Sequence, residues 1–163
     1  MSDYASVHDV AAYVLSKFDQ PISTMKLQKL VYLAQGWHLG LRDKPLFTEQ
    51  LQAWANGPVC PDLFAKHRGD YAVKEWQWGN ARRLLASERI VVDAVIKNYG
   101  GLSGLELSEL SHLRGTPWQA TRDSWNLING QASTVEIDPE DIKQHFKQVF
   151  DPGGTINATA RGI

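Results

Sequence analysis

The chain has a single cysteine, Cys60, among its 163 residues, so no internal disulfide can form. That usage fits a reducing compartment and predicts a cytoplasmic protein. One thiol and five scattered histidines (His8, His38, His67, His112 and His145) give neither a CxxC pair nor an HExxH spacing, which leaves no ligand set for a metal. The glycine pairs Gly100-Gly101 and Gly153-Gly154 lack the lysine and the strand-to-helix context of a phosphate loop. No cofactor is therefore implied. Charge of one sign is missing too: 17 basic against 18 acidic residues leave a net charge of -1, so strong nucleic-acid binding is not expected. No stretch approaches the roughly 18 apolar residues of a membrane span, and the N-terminus has no basic-then-apolar leader, so no membrane is expected either.

What is present is an ordinary globular supply of apolar side chains, 43% of the chain, with six Trp and five Tyr. One domain over residues 1–150 is expected, followed by a flexible tail over 151–163, where DPGGTINATARGI has turn residues and no periodicity. Val7, Val10, Ala11, Val14, Leu15 and Phe18 make one helical stripe, opened by a capping box at Ser6 and Asp9. Ser23 caps a second helix whose core stripe is Leu27, Leu30, Val31, Ala34, Trp37 and Leu41. Gly36 and Gly40 share a face of that helix one turn apart; either they form a groove for another backbone, or Gly40 helps to end the helix.

Further helices are predicted over 61–68, 84–99, 103–112 and from Pro139 to Phe150. The best strand is LFTEQLQAWANG, with 71–80 as its antiparallel partner. The expected fold is thus mostly α, a single compact helical domain with a small two- or three-stranded antiparallel sheet.

Cys60 precedes a helix start, where a thiol can be activated, yet no hydrolase signature surrounds it. The expectation is no catalytic residue and no enzyme, with a Cys60–histidine hydrolase as the reading from another class. Lys26 at the third position of the second helix, and Lys29 one turn on, oppose the positive end of the helix dipole. Such local conflicts tend to mark functional contacts.

The stretch MKLQKLVYLAQGWHLGLRDKPLFTEQLQAWANGPVCPDLF, residues 25–64, resembles the SocA-like Panacea domain of antitoxins, also found in phage-associated proteins. LSGLELSELSHLRGTPWQATR, residues 102–122, is similar to that family's second motif, and the likeness extends over about residues 5–150. The resemblance implies a bacterial or prophage antitoxin that neutralises a cognate protein toxin by direct binding, with no catalysis. A second reading makes the domain an adaptor that delivers the toxin to a cellular protease. Homo-oligomerisation is compatible with either. The candidate docking residues are Lys26, Lys29 and Tyr32 on the second helix, Trp54, Gly57 and Pro58 at the corner after the strand, and His112, Pro117 and Trp118 in the second motif. Tyr32 lies one turn beyond the two lysines on a neighbouring face, and Trp54 is left open between burial and exposure.

Overall fold

The computed structural model describes residues 4–150; the tail expected at 151–163 lies outside the described residues. Ser6 and Asp9 close the expected capping box on α1 (Val7–Ser16), the Ser6 side chain accepting from the His8 N–H. After β1 (Ile22–Ser23), Ser23 accepts from Lys26 N at 3.0 Å and starts α2 (Thr24–Arg42), which ends on Asp43 in the left-handed region. The chain then forms β2 (Gln52–Trp54), β3 (Gly57–Val59), α3 (Pro61–His67), β4 (Ala72–Val73) and a 3₁₀ turn at Ala81–Arg83. The second half is helical: α4 (Ala86–Tyr99), α5 (Gly104–Ser111), α6 (Pro117–Ser124) and α7 (Pro139–Val149). The Ser103–Glu106 box and the Asp138 cap stand where the sequence places them.

α2 is the axis of the molecule. Every residue from Leu27 to Leu39 is buried, because α1, α4, α5 and α7 all pack against it. A helix enclosed all round must satisfy any polar side chain it carries. Gln35 does so by taking the N–H groups of Leu46 and Phe47 and donating to Phe47 O at 2.8 Å, and His38 donates through Nδ1 to Lys44 O. The loop after α2 is thereby fixed to the helix that precedes it.

The Gly36–Gly40 face is a groove, and α7 fills it. A Cβ on Gly36 would fall 2.2 Å from the Phe146 ring, and one on Gly40 would fall 3.0 Å from the Phe146 backbone. The small face therefore lets α7 approach α2 at backbone distance. Leu41, expected in the core, is 37% exposed.

The β elements differ from expectation. Residues 71–80 do not pair with the 52–54 strand: β4 pairs with β1, while β2 pairs with β3 through the two-residue turn Ala55–Asn56. Asn-Gly before a second short extended run is a hairpin signal, so the strand turns at Asn56 and returns at once. On its other side β2 is bridged by Glu136, with Ala53 N donating to Val135 O and Ile137 N to Leu51 O, both at 2.8 Å. α6, absent from the sequence expectation, starts at Pro117 under a Thr116 cap.

Candidate functional site

Gly57 has φ +122, a backbone state that favours glycine, and a Cβ there would lie 2.6 Å from Lys29 Cε and 3.0 Å from Ser111 Oγ. Both facts confine the position to glycine. Ala53 sends its N–H outward to Val135, so the Ala53–Pro58 pair is the one without mutual hydrogen bonds, and the missing N–H of Pro58 costs the ladder nothing.

Five carbonyls along this corner are held by side chains from three elements, α2, α5 and α6. Arg122 donates to Ala53 O at 2.9 Å, Trp118 Nε1 to Trp54 O at 2.7 Å, and Ser108 Oγ to Asn56 O at 2.6 Å. Lys29 Nζ donates to Pro58 O at 3.0 Å, and Gln28 Nε2 to Cys60 O at 3.2 Å. Residues 53–60 are therefore a preformed shape with its backbone groups held from behind.

Gln28 does more. Its Oε1 accepts from Cys60 N at 2.8 Å, so its amide nitrogen must face His67, whose Nε2 lies 2.9 Å away. The His67 Nε2 is then the acceptor and the imidazole proton sits on Nδ1. Burial lowers the His67 pKa, in keeping with a neutral ring. Cys60 is fully buried beneath this amide, and burial pushes its thiol up to about 11, so it is a thiol and not a thiolate near neutrality.

The two lysines that oppose the helix dipole find different solutions. Lys26 donates to Gly100 O at 2.6 Å, the carbonyl at the end of α4, and lies over the Phe18 ring. The negative end of one helix thus meets the cation at the start of another. Lys29 has no such relief. It is 2% exposed, takes no part in the ion pairs formed among the described residues, and burial alone lowers its pKa to about 7.

Of the candidate docking residues, Trp54 is half-buried, with its ring edge-on to Phe64 at 4.9 Å, and Asn56 beside it is exposed. Gly57, Pro58, Pro117 and Trp118 are buried and shape the corner from within. His112 is half-buried, donates to Ser108 O through Nδ1 and lies 3.9 Å, ring to ring, from Trp118, which Arg122 covers on its way to the hairpin. The second motif is thus the brace of the first. Tyr32, offered as a docking residue, is enclosed, because α7 lies over that face and sets Phe146 6.0 Å from its ring. Its hydroxyl is buried without a hydrogen-bond partner.

The sequence reading did not single out Gln28, Phe64, Ser108 or Arg122, which carry much of the corner. The available signal was a polar pair, Gln28-Lys29, between Leu27 and Leu30 on a helix with apolar residues on several faces. Trp54, Phe64 and Met25 surround a cavity of about 240 Å³ whose wall also includes Gln28, Lys29 and His67.

Comparison with known proteins bears on this arrangement. The family model described as "Antitoxin SocA-like, Panacea domain" matches residues 27–119, which contain the corner and the side chains that hold its carbonyls except Arg122. Antitoxin SocA of Caulobacter vibrioides (strain NA1000 / CB15N) is 30% identical over 143 residues, covering 78% of this chain and 73% of that protein. No solved structure matches the chain significantly.

Proposed function

Because the chain belongs to the antitoxin SocA-like, Panacea-domain family, we propose that it is an antitoxin that neutralises a cognate protein toxin by binding it directly. The corner at residues 53–60 supports this reading best. Five of its carbonyls are tied to α2, α5 and α6, so little conformational freedom is left to lose on docking. It presents Trp54, Asn56, Val59 and Phe64 to the outside, an aromatic anchor with a polar neighbour, which is the make-up of an interface centre. Lys29, Gly57, Pro58 and Trp118 hold that surface in place, with His112 against Trp118 behind it, whereas Lys26 is spent on Gly100 at the end of α4. Cys60 offers no competing chemistry, since burial pushes its thiol up to about 11 and the polar groups that face it are the backbone N–H groups of Leu63 and Asp62.

The test is co-expression with the product of the neighbouring reading frame. Growth arrest by that product alone, growth restored by this chain, and co-elution of the two proteins are the expected results. Restored growth with falling toxin levels and no stable complex would replace masking by delivery to a protease, and no rescue would overturn the reading.

A further inference from the structure

A buried lysine with no carboxylate beside it is an unbalanced charge whenever it is protonated, and Lys29 lines a cavity of about 240 Å³, large enough to hold its counterpart. Lys29 carries three N–H donors, and its hydrogen bond to Pro58 O occupies one. None of the residues lining the adjacent cavity is Asp or Glu. The walls supply apolar surface from Met25, Trp54 and Phe64, and polar groups from Gln28 and His67, which are engaged with each other, from Thr24, whose hydroxyl donates to Asp70 O, and from Asn56 at the rim. An aliphatic guest would fill the space and leave the ammonium uncompensated. A phosphate dianion would meet a single cation and no arginine fork. One negative charge on a short apolar stem matches both the charge and the walls.

We propose that this cavity is a carboxylate pocket that receives a Glu or Asp side chain of the protein partner, the carboxylate pairing with Lys29 Nζ and the methylenes lying against Met25, Trp54 and Phe64. The proposal rests on the antitoxin reading for the nature of the partner. In the free chain Lys29 costs stability; in the complex a carboxylate supplies the missing counter-charge to a buried side chain, where an ion pair is stronger than at an open surface. A neutral partner side chain would leave that charge unpaired, so the pocket discriminates between acidic and amide residues.

The full chain is titrated, with the Trp54 indole N–H and the Lys29 Cε resonances followed by NMR, against three probes on one skeleton. These are N-acetylglutamate α-amide, which offers a side-chain carboxylate; N-acetylglutamine, which offers a terminal one; and N-acetylglutamine amide, which is neutral. The expected result is a saturable shift of both resonances with the first probe, at least about tenfold tighter than with the neutral one, and loss of that shift in Lys29→Met. Because the three probes are compared on the unaltered chain, the test stands even if Lys29→Met fails to fold. Equal response to all three probes, or response outside the pocket, overturns the proposal, and preference for N-acetylglutamine overturns the side-chain form of it. Pocket binding in a chain that fails to rescue growth sinks the antitoxin reading alone, and rescue without pocket binding sinks the pocket alone.

Discussion

At the scale of single residues, Lys29 is where stability and the proposed docking pull apart. Its folded pKa of about 7 lies below the ordinary 10.5, so the unfolded chain binds the proton more readily. The stability associated with the neutral side chain is complete above 10.5, declines as pH falls toward about 7, and is flat below that. Lys29→Met is expected to gain about 1–4 kcal/mol at pH 6, to show a smaller pH dependence between 7 and 10, and to lose toxin binding. Urea denaturation at pH 6 and pH 9 measures this, and a variant weaker than wild type at pH 6 would contradict it. Cys60→Ser should behave in the opposite way: a hydroxyl enclosed at that site costs about 1–3 kcal/mol, yet growth rescue persists because the thiol performs no chemistry. A folded Cys60→Ser protein that fails to rescue would refute that role.

At the scale of elements, the contact between α2 and α7 is set by two glycines and one phenylalanine. Gly36→Ala is expected to destabilise by about 1–3 kcal/mol, since its methyl would enter the Phe146 ring. Adding Phe146→Leu should return part of that loss, a non-additive pair that a double-mutant cycle by thermal or urea unfolding would expose. Independent, additive losses would mean that the two residues do not share this contact. Helix starts were legible in the sequence because their chemistry is local: Ser6, Ser23, Ser103 and Asp138 cap where they were expected to. Strand partners were not, because two- and three-residue strands carry almost no alternation and pairing is decided by turns and tertiary contacts. The hairpin was signalled by Asn56-Gly57, but the return strand holds a proline and only three residues. α6 was hidden because Trp118 and Arg122 spend their helical face on hydrogen bonds to the hairpin, so its buried side does not read as apolar.

At the scale of the whole molecule, the legible part of the candidate corner was its outline and the illegible part was the burial behind it. The corner at 54–58 and the second motif at 112–118 were marked by composition and resemblance, whereas burial of Lys29 and Tyr32 follows from α2 being covered on every side, which no single-helix stripe reveals. The near-neutral charge gives a further expectation: the purified chain should bind duplex DNA weakly, with affinity collapsing as salt rises. A tight, salt-resistant shift of its promoter fragment would contradict it. The central claim is that the preformed corner holds the toxin, and it is tested most directly by measuring affinity of the purified chain for the neighbouring-frame toxin before and after Trp54→Ala. The replacement removes a half-buried ring and leaves the carbonyl that Trp118 holds, so circular dichroism and melting should show a folded protein. A loss of about thirtyfold or more in affinity is the predicted result. A folded Trp54→Ala chain that binds and neutralises the toxin as the wild type does would contradict it.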